Sequence, residues 1–188
     1  MKKDAGTGMI YYVFFLALIG MLSLLASFVI RIKMISNVNE NVQDAVTLSN
    51  LASALIDIEK YSNSGVIQVK DINHSYLVYE DAMKVNLNLT EEMEPKSSQY
   101  IQSKIDILEY SVYNVIGSDI VLTQKIFHNG VPITETLIHN GQVGVLMTPD
   151  GVMVTNTTIY SKIGFLIRGY RNRYHYVYKE GSVDIVDH

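Results

Sequence analysis

The residues best suited to chemistry stand near the C-terminal end. Tyr174, Tyr176 and Tyr178 alternate with Arg173, His175 and Lys179, and Arg171 stands just before them. In a strand, this period of two sets the tyrosines on one face and Arg171, Arg173 and Lys179 on the other. That basic face is a candidate surface for an anionic ligand: acidic polysaccharide, lipid headgroups or nucleic acid. The plainer alternative is an amphipathic strand, with tyrosines packed on a helix and basic groups in water.

Other chemistry is sparse. Of the five histidines, His128 and His139 each precede an Asn-Gly pair, so turns there would bring them toward one sheet edge. A metal site needs a third ligand, and none stands out. The acidic pairs Glu80-Asp81 and Glu91-Glu92 diverge on a helix and make no acid–base couple. The chain has no cysteine, which excludes a disulfide scaffold, a zinc ribbon and a cysteine nucleophile. It has no phosphate loop, H-E-x-x-H or G-x-S-x-G. The expectation is a non-enzymatic protein with no cofactor and no metal.

Composition narrows the class further. The 188 residues are 48% apolar and 18% charged, with a net charge of −4. Charge is too sparse and apolar content too high for a disordered chain. A dedicated nucleic-acid binder would show a basic excess, so no nucleic-acid partner is expected.

The elements that would position these residues begin with an anchor. Met9–Ile30 runs for 22 residues without a charged side chain. At a rise of ~1.5 Å per residue this covers about 33 Å, enough for a bilayer core of roughly 30 Å. A cleaved signal peptide would have a shorter apolar run and a small-x-small cleavage site. Here Arg31 and Lys33 follow directly. Within the span, Ala17, Gly20, Ser23 and Ser27 gather on one side as candidate helix–helix contacts. Lys2 and Lys3 nearly balance Arg31 and Lys33, and a large acidic-to-neutral segment follows. The orientation favoured is N-terminus cytoplasmic and C-terminal domain extracytoplasmic.

Helical spacing continues beyond the span. Ile35, Val38, Val42 and Ala45 form one stripe, and Leu48, Leu51, Leu55 and Ile58 a second. With no proline or glycine between Met21 and Ser64, the spacing predicts one helix from Met9 to about Lys60. Its apolar stripe needs a partner, either the chain's own globular part or neighbouring subunits. The organisation expected is a basic leader at 1–8, a transmembrane helix at 9–30, an amphipathic stalk at 31–62 and an extracytoplasmic α+β domain at 63–188.

In that last domain, Ser62-Asn63-Ser64-Gly65 breaks the helical pattern and Asp71–Asn86 reads as a helix or an irregular connection. Strands are expected over Ile105–Tyr113, Ile120–His128, Ile133–His139, Val143–Met147, Val152–Tyr160, Ile163–Arg168, Arg173–Lys179 and Val183–Val186. Asn129-Gly130, Asn140-Gly141, Pro149-Asp150-Gly151 and Glu180-Gly181-Ser182 supply turns. The spacing predicts an antiparallel meander, covered on one face by the stalk helix.

This order of parts resembles pilin-like proteins, and within them the TadE/TadF-like minor pseudopilins of tight-adherence pilus systems. The residues that carry the likeness are Lys2 to Gly8 before the span and Asn37 to Ala54 after it. Pro149-Asp150-Gly151-Val152, Thr157-Thr158-Ile159-Tyr160 and Ile163-Gly164-Phe165 add to it at the far end. The resemblance implies an α+β pilin-like fold, leader cleavage at Gly8, and a place in a bacterial surface pilus or secretion-type assembly. Its partners would be the lipid bilayer and other pilin-like or assembly subunits, including copies of itself. Gly8 is followed by Met9-Ile10-Tyr11-Tyr12-Val13, without the glutamate such proteins carry there. That departure fits an uncleaved membrane accessory at least as well as a fibre subunit. The alternative function is a membrane-tethered module that binds glycan or cell-wall polymer.

Overall fold

A computed structural model describes residues 5–97, 101–128, 130–169 and 173–186. The chain divides into two compact units, Met1–Glu40 and Asn41–His188.

The first helix, α1, runs Ala5–Ala52. Its N-terminal unit is apolar and exposed, and a window with a mean hydropathy of 2.7 has 0% of its residues buried. It is long and apolar enough to cross a bilayer. The helix begins ahead of the expected Met9, inside the expected leader.

The predicted stalk ends earlier than its spacing implied. Helix α1 stops at Ala52, not near Lys60. The reason is tertiary. Ser53 is fully buried; its hydroxyl donates to the Asn50 carbonyl at 2.8 Å, and its own carbonyl accepts from the Ser75 hydroxyl. Asp57 then takes an extended conformation and its carboxylate accepts from the Lys60 amide, capping a new helix, α2, at Ile58–Ser64. Gly65 closes α2 in the left-handed region at φ 68°, its N–H bonded to the Tyr61 carbonyl. The third helix, α3, covers Ile72–Asn86, with Asp71 as its cap and Ser75, Tyr79 and Met83 buried along one face.

Five strands follow: β1 Asp106–Ile116, β2 Asp119–His128, β3 Val131–His139, β4 Thr157–Arg168 and β5 Tyr174–Ile185. They form one sheet in the order β3-β2-β1-β4-β5, every neighbouring pair antiparallel. This is not the simple meander expected, because β4 returns to the far side of β1. A bulge between Ile107 and Glu109 interrupts the β1–β4 register. Two expected breaks vanish: β4 continues through Ser161-Lys162, and β5 through Glu180-Gly181-Ser182. Val143–Met147 is not a strand, and Val152–Asn156 stays outside β4.

The central strands β1 and β4 are buried on both faces, in two separate cores, whereas β3 is exposed along nearly its whole length. Strand alternation puts Tyr110 and Tyr113, three apart on β1, on opposite faces. Tyr110 meets Tyr79 of α3 at 5.1 Å between ring centroids, and Val42, Ala45 and Val46 of α1 are buried. Tyr113 clusters instead with Ile120, Leu122, Val154 and Tyr160, capped by Val115, Val143 and Leu146. The connection between β3 and β4 therefore covers the face that the helices leave open.

Candidate functional site

Two places can act in recognition: the docking seam of α1 on the sheet, and the outer face of β5.

The seam lies within Asn41–His188 and is mostly polar. Ser49, Asn50, Ser53 and Ser75 are fully buried. Tyr110 donates its hydroxyl to Ser53 Oγ at 2.9 Å and shares a short hydrogen bond with the Ser75 hydroxyl. Asn86 Nδ2 donates to Ser49 Oγ at 3.1 Å. Burial pushes the Tyr110 hydroxyl above its ordinary range, so it stays a neutral donor. On β5, Gly181 makes the close approach possible: a Cβ there would stand 3.1 Å from Gln43 Nε2 and 3.5 Å from Val46 Cγ1. Gln43 Nε2 donates to the Glu180 carbonyl at 3.1 Å. The expected turn glycine is thus the contact point between helix and sheet.

That contact decides which way β5 faces. Residues 175, 177 and 179 share the helix-facing side with Gly181, and Tyr174, Tyr176 and Tyr178 point away from it. The reading that packed the tyrosines on the helix is therefore corrected; they are exposed at 56, 42 and 58%. Tyr176 lies across Gly164, whose missing side chain leaves room for the ring, with Cζ 2.7 Å from where a Cβ would be. Its hydroxyl donates to Asp106 Oδ2 at 3.0 Å, and burial, then the Asp106 carboxylate, push its pKa up to about 12. Tyr178 packs edge-on against Tyr176 at 5.2 Å and has Lys162 Nζ 5.6 Å from its ring centre. Lys162 also pairs with Glu180 Oε2 at 2.9 Å, and Tyr160 donates to the same oxygen at 2.8 Å.

Of the basic residues proposed for an anionic ligand on the strand's other face, Lys179 does stand opposite the tyrosines. Arg171 lies outside the described residues. Arg173 is exposed beside the β4–β5 turn, its carbonyl accepting from the Gly169 amide at 2.7 Å. Lys179 pairs with Ile163 on the helix-facing side, about 20 Å from Arg173 at the usual strand rise. The cation beside the tyrosines is Lys162. Sequence order hides this, because Lys162 and Tyr178 meet only through the β4–β5 register. An isolated glycine at 164 within an apolar strand was the one available hint.

The remaining predicted positions sit as follows. Ala17, Gly20, Ser23 and Ser27 are exposed on α1; a Cβ on Gly20 would meet nothing within 4 Å, and Ser27 Oγ donates to the Ser23 carbonyl at 2.9 Å. Gly8 lies within α1, exposed. His128 faces Val131 and His139 faces Ile120, so the two histidines occupy opposite ends of the β2–β3 hairpin instead of one edge. Among the described residues no cluster of three or more His, Asp or Glu is placed to hold a metal.

A cleft of about 440 Å³ lies between α3 and β1, walled by Tyr76 and Phe127, with Glu80, Lys104 and Asp106 at its rim. Both of its carboxylates have partners: Glu80 pairs with Lys84 at 3.1 Å and Asp106 accepts from Tyr176 at 3.0 Å. No family model matches the chain, and neither does a curated protein or a solved structure.

Proposed function

We propose that this chain is a non-enzymatic, single-pass membrane component of a bacterial surface pilus or secretion-type assembly, acting by subunit packing in the manner of pilin-like proteins. The observation that carries this reading is the double use of α1. One uninterrupted helix supplies an apolar, fully exposed stretch long enough for a bilayer and, from Val42 onward, buried side chains of the folded head. In this reading the N-terminus is cytoplasmic and the head extracytoplasmic.

The test is extraction and co-purification. The full chain should stay with membranes in alkaline carbonate, enter detergent, and bring a differently tagged copy or assembly subunits with it. Release without detergent, or a partner-free monomer in mild detergent, would overturn the proposal. Protease added outside intact cells should remove the head; protection there would reverse the orientation.

A second reading, a tethered glycan-binding module, is favoured by the open row Tyr174, Tyr176 and Tyr178. It requires that Tyr176→Ala and Tyr178→Ala weaken retention on an immobilised cell-wall polysaccharide. Unchanged retention would dismiss it.

A further inference from the structure

Tyr176 and Tyr178 form a corner on the open side of β5. The Tyr176 ring takes the place of the side chain that Gly164 lacks, with Cε1 and Cζ both 2.7 Å from the Cβ position. Its hydroxyl donates to Asp106 Oδ2 at 3.0 Å. Tyr178 meets it at an interplanar angle of 69°, a wall beside a floor. Both rings keep open surface, 42 and 58% exposed. A glycine, a carboxylate and ring-on-ring packing thus orient two exposed aromatics before any ligand arrives, which lowers the ordering cost of binding.

The charged groups around this corner follow from the strand registers. Asp106 pairs with Gly164, Glu109 with Lys162, and Lys162 with Glu180, so all four charges stand on the tyrosine side. The cation among them is committed: Lys162 Nζ lies 2.9 Å from Glu180 Oε2 and 5.6 Å from the Tyr178 ring centre. Asp106 and Glu109 have hydroxyl partners only, those of Tyr176 and Ser111. Their second oxygens, Asp106 Oδ1 and Glu109 Oε2, have no donor among the described residues. Arg168 stands at the turn end of the row, opposite Tyr174. Asp150 and Asp184 stand toward the other end, accepting from Ser182 and Thr158. The corner itself therefore carries an excess of negative charge and unused acceptors.

We propose that this corner binds an uncharged polysaccharide, one pyranose ring stacking on Tyr176 against Tyr178 and donating hydroxyl protons to Asp106 and Glu109. Three features narrow the ligand. An acidic polymer, an anionic headgroup or a nucleic acid meets the excess of carboxylates. A cationic group over the Tyr178 ring meets Lys162, which already holds that place. Carboxylates only accept, so the ligand has to bring donors beside an apolar ring face. A pyranose does, with C–H groups across its face for the negative face of the tyrosine ring and hydroxyls around its edge. A proline-rich peptide brings the apolar ring without the donors. This assignment rests on the second reading above. It replaces the anionic ligand expected from Arg171, Arg173 and Lys179 with a neutral one held by other residues.

The test is retention of the full chain, in detergent, on four insoluble polymers: uncharged cellulose and chitin, cationic chitosan and anionic cross-linked polygalacturonate. Cellulose or chitin should retain the protein, at a level that high salt leaves unchanged. Tyr176→Ala and Tyr178→Ala should each weaken retention about tenfold or more. Gly164→Ala is the decisive variant. It leaves every ligand-facing group in place but sets a methyl group where the Tyr176 ring lies, so the ring has to swing out. Retention should fall as in Tyr176→Ala while the melting temperature changes little, because the displaced side chain is at the surface. Preferential retention on polygalacturonate, lost in high salt or in Lys162→Gln, would overturn the proposal in favour of an anionic ligand. Preference for chitosan would overturn it in favour of a cationic one. Retention on cellulose or chitin that Gly164→Ala and Tyr176→Ala leave intact would overturn this corner and leave glycan binding standing. No retention on any of the four would remove both.

Discussion

Asn50 donates from Nδ2 to the carbonyl oxygen of Gly181 at 2.8 Å, joining positions 131 residues apart. The bond is buried and sits where α1 comes closest to β5. A side chain at 181 would have to share space with Gln43 and Val46. Gly181→Val should therefore destabilise the head by about 1–3 kcal/mol through overpacking. Asn50→Ala should cost about 1–2 kcal/mol for the lost buried donor. Chemical denaturation of the full chain in detergent checks both; a Gly181→Val variant as stable as wild type would contradict the assigned contact.

The hydroxyl of Tyr110 ties α1 to α3 through Ser53 and Ser75. Removing it in Tyr110→Phe leaves two buried serine hydroxyls short of a partner. The expected loss is about 1–3 kcal/mol, with the ring packing retained. A companion change at exposed Tyr174 to Phe should be neutral, and the difference between the two in thermal melting isolates the buried network.

Glu180 gives the head an acid-side sensitivity. Its hydrogen bond with Lys162 holds its pKa below the ordinary carboxylate value, against the opposing effect of partial burial. The folded pKa is thus lower than the unfolded one. The stabilisation is fully present above the unfolded value, near ~4.3, and disappears as pH falls through the folded value. Glu180→Gln should melt earlier than wild type at neutral pH and converge with it in acid. Melting temperatures recorded across pH check this, and a gap that persists or widens in acid would refute it.

Asp57 starts α2 where helical spacing alone would have carried α1 onward. Asp57→Ala removes the acceptor for the Lys60 amide at 3.1 Å and should cost about 1 kcal/mol, while Asp57→Ser should recover most of it. Circular dichroism together with melting would register the change; equal losses in both variants would argue that capping is not the cause.

Much of the helical and strand content can be read locally. Met9–Ile30 lacks charge altogether, and no tertiary contact is needed to recognise a span-length apolar helix there. Gly65 marks the stop of α2 because a left-handed residue is needed at that point. Alternating β-branched and aromatic residues placed β1, β2 and β3 within a few positions of their observed ends. The buried face of α3 was partly legible too, since Tyr79 and Met83 are four apart.

The candidate site was far less legible. Glu180-Gly181-Ser182 has turn chemistry, yet it lies inside a twelve-residue strand because α1 needs a glycine beneath Gln43 and Val46. Leu48 and Leu51 have core chemistry, yet they face outward because Ser49, Asn50 and Ser53 hydrogen-bond into the head. The tyrosines of β5 turned away from the helix for the same reason, and their neighbouring cation proved to be Lys162.

The amino-acid order alone determined the uncharged apolar run, the alternating strands and the absence of thiol chemistry, because each follows from side chains a few positions apart. Only the tertiary structure decided where α1 ends, which face of β5 is open and which apolar surfaces remain unpartnered. Those depend on groups distant in sequence, 22 residues apart for Ser53 and Ser75 and 131 for Asn50 and Gly181, whose meeting no local period encodes.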